Sequence, residues 1–556
     1  MLCTERFTWT LKYETQGHSF TAAGADTPHF SLDIRRDAQT VSVSIRPKVP
    51  LTIQSFRLTA PYTYTKDDRI FVNGYQSWTD SLEYRPDGQM QELSALTEFL
   101  VDKSPFRRMG MNKSGDLRFH SYPRRAGVFY GWSYGYVRRG GQIVLFGSLS
   151  ERSGYTTVTF DTNAGTVEIG KDLEGVVFSR ETTLLELACI SDSYDAAFDR
   201  YFERMGVACT QQRRRTGYTT WYNYYGNVRE EDVLRDLQSM RVVRDRVQVD
   251  CFQIDDGYQT AIGDWLSVDE KKFPSGMQKI ADSIHDAGML AGLWLAPFAG
   301  VKSSALYRTH PDWLIRGADG KPYKTGHNWG GFYSLDIYNP GVRSYLQHVF
   351  DVVLNEWGFD LVKLDFLYGA CVLPLHGKSR GEVMCDAMDL LRKWCGDKLI
   401  LGCGVPLMPA FGKVDYCRIG SDISMRWKRQ KHAIREEVST PHAVCNTIFR
   451  RHLNGRAWMN DPDVFLLRDG NNKLSMEQRA LLAQINSVFG SLLFVSDDVR
   501  TYTPEQMRVF ESAFAPKQVK ILRAEFTSRD EIFAEYIVNG EYKTLRFNVW
   551  TGERLG

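Results

Sequence analysis

Hydrophobic and polar residues alternate through the first third of the chain. Runs such as FSLDIRR (30–36), VSVSIRP (41–47), GQIVLFGSLS (141–150) and TTVTFD (156–161) repeat with period two and are separated by Gly, Pro, Asn and Asp. Successive side chains point to opposite faces of a strand, so this spacing predicts strands with one buried face. Many such strands over residues 1–190 predict an N-terminal β-sandwich. The period then changes. In SDSYDAAFDRYFERMG (191–206), Tyr194, Phe198, Tyr201 and Phe202 form a helical stripe. Ser191 or Asp192 is placed to cap its start and Gly206 to close its end. Residues 191–214 therefore read as a linker helix.

From about residue 215, short apolar runs alternate with amphipathic ones. Eight candidate strands follow: 217–225, 249–258, 290–298, 359–366, 398–405, 414–423, 456–465 and 491–499. Helical patterns separate most of them, among them 229–245, 276–288, 339–358 and 475–490. Eight strands with helical crossovers predict a central (β/α)8 TIM barrel over 215–499, an α/β fold. The link between the fifth and sixth strands is short, and an extra strand is expected near Tyr333–Ile337. EIFAEYIVNG and EYKTLRFNVW then predict a small C-terminal β-domain over 500–556. No internal repeat is visible.

Composition narrows the function. The formal net charge is +2 and no dense basic block appears. Arg213-Arg214-Arg215 falls at the domain junction and reads as a solvated connector, so no nucleic-acid partner is expected. No apolar run approaches the roughly 18 residues that span a bilayer, so no membrane partner is expected. The start shows no basic segment followed by an apolar one, and the 10 cysteines form no CxxC motif. Both favour a cytoplasmic protein with reduced thiols. The 11 histidines never form HxH or HExxH, which speaks against a metal site and a metal hydrolase. No glycine-rich phosphate loop follows the first barrel strand, so no cofactor is expected. Aromatic residues make up 13%, which suits a sugar cleft as well as an aromatic core. Asn73-Gly74-Tyr75-Gln76-Ser77-Trp78 reads first as an aromatic corner packed in the sandwich.

Barrel enzymes carry their chemistry at the C-terminal ends of the strands. There the chain offers Trp221 and Tyr222; Asp255 and Asp256; Trp294; Lys363 and Asp365; Cys403; Arg418 and Asp422; Asn460, Asp461 and Asp463; and Asp497 and Asp498. In FDLVKLDFLYG (359–369), Lys363 and Asp365 share one face of a buried strand. They read either as a structural ion pair or as a carboxylate held ready for chemistry. Asp463, Asp497 and Asp498 read as turn or cap residues. Carboxylates on the second, fourth and sixth strands would converge over one barrel mouth, with two cations and several aromatics. Glycoside hydrolysis needs two carboxyl groups and polar groups that hold hydroxyls.

The segments FQIDDGYQTAIGDWL, GLWLAPF, HPDWLI, VKLDFLYGA, ILGCGVPLMPAFGKVDYCRIGSD and MNDPDVFLLR resemble the alpha-galactosidases of glycoside hydrolase family 36, most of all the compact bacterial and thermophile type. The resemblance covers about residues 217–500 and rests on VNGYQSW in the first domain. It implies a retaining mechanism on an alpha-galactoside, with Asp365 as nucleophile and Asp422 as acid/base. It further implies that Asp255 and Asp256 bind galactose hydroxyls, that Lys363 and Arg418 hold others, and that Trp294 lines the pocket. Cys403 would lie beside O2, Trp221 would follow the family's strand-one aromatic pair, and Trp78 would be lent by the N-terminal domain. Two features are individual: the acid/base motif reads RIGSD, without a proline before the aspartate, and the loop GHNWGG (326–331). Lys363 beside Asp365 should favour the ionised nucleophile, while Asp422 must hold a proton despite Arg418. The same family also admits an alpha-N-acetylgalactosaminidase or an alpha-galactosyl transferase. A non-catalytic sugar-binding protein is the remaining reading.

Overall fold

The alternating runs of the first third build two seven-stranded antiparallel sheets. A computed structural model of the chain describes residues 4–90, 115–120, 125–428 and 438–555. One sheet runs His18–Thr21, Thr8–Thr15, Leu51–Pro61, Thr166–Asp172, Tyr155–Asp161, Val128–Trp132, with Val177–Phe178 on the flank of Leu51–Pro61. The other runs Phe30–Arg36, Thr40–Pro47, Thr182–Ser193, Gln142–Ser148, Tyr134–Arg139, Arg69–Val72, Glu83–Tyr84. Period two puts Val41, Val43 and Ile45 of one sheet in the same buried core as Leu58, Phe160 and Ile169 of the other. This interior is what fixes the register, since a one-residue slip would turn those side chains outward.

The linker helix is Tyr194–Met205, and its N-cap is Ser193 rather than Ser191 or Asp192. The reason is the preceding strand, whose ladder to Gln142–Ser148 holds residues up to Ser193 extended. Gly206 closes the helix at φ 64°, in the left-handed region that glycine enters most readily. The helix is a buttress. Phe198 stacks on His452 with ring centroids 3.9 Å apart, and Tyr201 donates to the Ser148 carbonyl at 2.6 Å.

Eight parallel strands form the barrel sheet: β1 Arg215–Thr219, β2 Cys251–Ile254, β3 Leu290–Leu295, β4 Leu361–Leu364, β5 Leu399–Gly402, β6 Tyr416–Arg418, β7 Met459–Asp461 and β8 Leu492–Val495. The ladder runs from β7 down to β1 and on to β8. Ser491 N–H to the Asn460 carbonyl (2.8 Å) and Phe465 N–H to the Phe494 carbonyl (3.2 Å) join β8 back to the β7 side. Several strands are shorter than their apolar runs. β1 stops at Thr219, and Trp221–Tyr224 is a short helix. Those aromatics favour strands by propensity, but Thr220 has already left the extended region. β6 likewise ends at Arg418, so Asp422 lies in the following loop. The expected extra strand is Phe332–Ser334, which pairs with Ala299–Val301 and Lys324–Gly326 above the barrel mouth.

Residues 500–556 begin with a helix that the strand reading omits, Pro504–Phe514. Thr503 and Gln506 form its capping box, with Pro504 in the first turn. A four-stranded antiparallel sheet follows, from Val519–Phe526 to Glu553–Arg554. Its Glu525 pairs with Arg138 of the sandwich at 2.6 Å, and Phe526 stacks on Phe449.

Candidate active site

A cavity of about 500 Å³ opens at the C-terminal ends of the barrel strands, within the range of small-molecule sites. Eight of the residues singled out in the sequence line it: Trp78, Trp221, Asp255, Asp256, Trp294, Lys363, Asp365 and Asp422. Cys403 and Arg418 are buried behind its wall, where they touch lining side chains.

β2 and β4 supply the floor. Lys363 and Asp365 share a face of their strand, yet the Lys363 ammonium bonds Asp255, at 2.9 Å, and not Asp365. Burial lowers the Lys363 pKa, but the Asp255 carboxylate, with Cys403 and Asp365 adding to it, outweighs this and holds the amine charged. Asp255 also accepts from Gln253 Nε2 at 2.8 Å and from the Asp256 N–H at 2.9 Å. Asp256 accepts from Gln259 Nε2 at 2.6 Å and from the Trp329 indole N–H at 2.9 Å. Burial nevertheless pushes its carboxyl above the usual range.

Asp365 is held on both oxygens. The Trp294 indole N–H reaches Oδ2 at 3.1 Å and the Phe366 N–H reaches Oδ1 at 2.8 Å. The turn that allows the second bond puts Phe366 at φ 52°, an uncommon conformation for a side chain of that size. Burial raises the Asp365 pKa, and the Lys363 charge, Trp294 and Cys403 oppose it. Lys363 thus acts in the expected direction, but burial decides the net shift. Trp294 is 2% exposed, packed edge-on against Trp265 and Trp329.

The segment Asn73–Trp78 divides between two tasks. Tyr75 does pack in an aromatic corner, against Trp132 and Tyr155. Trp78 instead crosses to the barrel, where its indole N–H points to Cys403 Sγ at 3.4 Å. Burial pushes that thiol well up, so it is a neutral wall group. Gly404 makes room for Trp78. A Cβ there would lie 2.8 Å from the indole ring, and the residue has φ +53°.

Arg418 organises the third corner. Its guanidinium meets Asp422 at 2.9 Å, Asp461 at 3.2 Å and Asp463 at 2.8 Å. Asp461 and Asp463 are 0% exposed, while Asp422 is 37% exposed and faces the cavity. Burial pushes the Asp463 carboxyl up to about 6, against the pull of Arg418 and with the push of Asp422 and Asp461. Asp463 also accepts from the Tyr222 hydroxyl and from the Ile423 N–H. It therefore serves as a pillar under Asp422 and not as a turn residue alone. Asp498, by contrast, caps Val499–Thr501 as expected. Asp497 is tied to the Leu467 and Arg468 N–H groups and to Arg468.

Residues 211–370 match the Melibiase family model. Over 139 residues the chain is 33% identical to a protein of Flavonifractor plautii named A type blood alpha-D-galactosamine galactosaminidase, a match covering 23% of this chain and 13% of that protein. It is 29% identical over 194 residues to an alpha-galactosidase of Escherichia coli, covering 33% of this chain and 26% of that one. The matched segments thus span about a quarter or less of these curated relatives. The solved structure of TtGalA, an alpha-galactosidase from Thermus thermophilus, in complex with p-nitrophenyl alpha-D-galactopyranoside, matches end to end. Its TM-score is 0.70 at 25% identity, over 96% of this chain and 98% of that one. The chain is thus similar to alpha-galactosidases, in sequence over part of the barrel and in fold from end to end.

The cavity also includes residues that reading the sequence did not select. Trp329 lies on the individual loop 326–331, with φ 54°, and covers Asp256. Gln76 and Ser421 also line the cavity. Arg118 comes from the sandwich side. Sequence signals existed for two of these: Trp329 sits beside glycines in a loop already noted as individual, and Ser421 directly precedes Asp422 in the RIGSD segment already noted as individual. Nothing local marked Gln76 or Arg118.

Proposed function

We propose that this protein is a retaining exo-glycosidase that releases terminal alpha-D-galactosyl residues from oligosaccharides or glycosides. The observation that carries the reading is Asp365, a buried carboxylate held on both oxygens by N–H donors, in the same cavity as the more exposed Asp422. In the first step an Asp365 oxygen bonds the anomeric carbon while the bond to the aglycone oxygen breaks. Asp422 gives that oxygen its proton. In the second step Asp422 takes a proton from water, the water oxygen bonds the anomeric carbon, and Asp365 leaves as carboxylate. Asp255 and Asp256 accept from sugar hydroxyls, Lys363 and Trp329 anchor those carboxylates, and Trp221 and Trp78 offer ring faces. The alpha-galactoside bound to TtGalA supports the choice of sugar. The galactosaminidase relative keeps a 2-amino sugar as a second reading.

A cytoplasmic location accompanies this proposal. The cysteines among the described residues are all free, and no helix of the described residues is long and apolar enough to cross a membrane.

A panel of p-nitrophenyl alpha- and beta-glycosides, with the first-formed product followed by NMR, tests the proposal. Cleavage of the alpha-galactoside with alpha-galactose appearing first is expected. Beta-galactose appearing first would show inversion and overturn the double displacement. Faster cleavage of the alpha-galactosaminide, or of its N-acetyl form, would transfer the reading to the second sugar.

A further inference from the structure

One guanidinium beside the cavity carries three carboxylates. Arg418 is buried at the end of β6, and each of its nitrogens is engaged: Nη1 by Asp422, Nε by Asp461 and Nη2 by Asp463. Among the described residues no other cation pairs with any of the three. Asp461 ends β7 and Asp463 follows it, and both are fully buried, whereas Asp422 is partly exposed and faces the cavity. The reaction proposed above uses only Asp422. One carboxylate would neutralise the guanidinium. A second one buried beside it is an excess charge out of reach of water, which costs stability. Crowding like charges in a buried place is how active sites tune a proton.

The excess is held in place by the backbone. The Asp463 N–H donates to Asp461 Oδ1 at 2.9 Å, and Asp463 Oδ2 accepts from the Ile423 N–H at 2.8 Å and from the Tyr222 hydroxyl. The other charged or titratable groups around this corner are Tyr222 after β1, Lys363 and Asp365 at the end of β4, and Cys403 after β5. Lys363 is taken by Asp255. Burial keeps the Tyr222 phenol and the Cys403 thiol neutral. When Asp461 and Asp463 are ionised, the group that Asp422 meets through Arg418 therefore carries more negative than positive charge.

We propose that Asp461 and Asp463 are positioning residues for the proton on Asp422: they occupy the Arg418 guanidinium, so that its charge does not strip that proton before the leaving group can take it. The inference rests on Asp422 being the proton donor of the proposed reaction. A lone arginine beside a carboxyl favours the ionised form by about 1–3 pH units. A general acid needs the opposite. Two buried carboxylates can cancel the cation because buried charges are screened little by salt and water. Asp422 is itself among the charges that push the Asp463 carboxyl up. The carboxylates thus feel one another across the guanidinium, and their titrations are linked.

The test measures kcat/KM against pH for wild type, Asp461→Asn and Asp463→Asn on two alpha-galactosides, with melting curves as a check on folding. One is a galactosyl disaccharide, whose sugar leaving group needs the donor's proton. The other is p-nitrophenyl alpha-D-galactoside, whose leaving group departs with less help. On the disaccharide the alkaline limb of each variant should move down by about one pH unit, with about a tenfold loss above the limb. The loss on the p-nitrophenyl substrate should be smaller. A limb that stays at the wild-type pH, or moves up, in a variant that folds overturns the proposal. So does an equal loss on both substrates with the limb unmoved, which marks a structural role. If one variant melts early, the other decides. Asp422→Asn separates this inference from the reading beneath it. Full activity of that variant on the disaccharide removes Asp422 as proton donor. Loss of that activity, with the limb unmoved in Asp461→Asn and Asp463→Asn, refutes only the role of Asp461 and Asp463.

Discussion

Replacing Arg418 by methionine removes the cation that pairs with Asp422, Asp461 and Asp463. The ion-pair distances are 2.9, 3.2 and 2.8 Å, and the last two carboxylates are fully buried. Methionine fills much of the same space but leaves those charges unpaired. Breaking a buried pair by removing one partner costs about 3–5 kcal/mol. Two buried carboxylates depend on this guanidinium, so the expected loss at neutral pH is near the top of that range, about 5 kcal/mol. Asp422, 37% exposed, adds little because water screens it. The pH dependence has a definite sign. Burial already pushes Asp463 up to about 6 from 3.8, with Arg418 pulling it down. Without Arg418 it rises further. A folded carboxyl that holds its proton more tightly than the unfolded chain favours the fold at low pH, and that advantage is lost as pH rises through the folded value. The deficit of Arg418→Met should therefore be small near pH 4 and largest above about pH 7. Urea-unfolding midpoints of wild type and variant at about pH 4, 6 and 8 measure it. A loss below about 1 kcal/mol at every pH, or a loss that does not change with pH, refutes the reasoning. Arg418→Lys should fall between, since one ammonium lacks the planar fork that serves three carboxylates.

Asp365→Asn should lower turnover of an alpha-galactoside by more than about 10³-fold with the melting temperature preserved, and near-normal kcat would remove Asp365 from the mechanism. Gly404→Ala should cost about 1–2 kcal/mol for its left-handed backbone, and the new methyl must displace Trp78, whose ring it would meet at 2.8 Å. Denaturant midpoints and KM should both worsen, whereas an unchanged KM would show that Trp78 does not touch the substrate. Trp329→Phe removes the N–H that reaches Asp256 at 2.9 Å. Binding lost equally from ground and transition states should raise KM about five- to tenfold with kcat nearly constant, and a fall in kcat alone would place Trp329 in the chemical step.

Local chemistry was legible where local rules apply. The barrel was readable because each strand and helix declares its own period, and β2, β3, β4 and β5 lie inside the runs that marked them. Strand ends were less legible. A stretch such as 217–225 keeps strand-like composition after the backbone has turned at Thr220. The helix Pro504–Phe514 carried a full start signal in Thr503-Pro504-Glu505-Gln506, yet the strands after it dominated the reading of that region.

Along one strand, sequence alone determined that Lys363 and Asp365 share a face, because side-chain direction has period two. It could not determine their partners, because partners come from other strands. Lys363 turned out to serve Asp255, 108 positions away. Asp463 joined the Asp422 corner of the cavity through Arg418, and Gln76 and Trp78 arrived from a different domain. Those contacts exist only after the sandwich docks on the barrel and Arg450 clips its loop to the barrel rim. Period, caps and turns are written within a few residues of themselves. Which charge faces which depends on distances that only the closed tertiary structure sets.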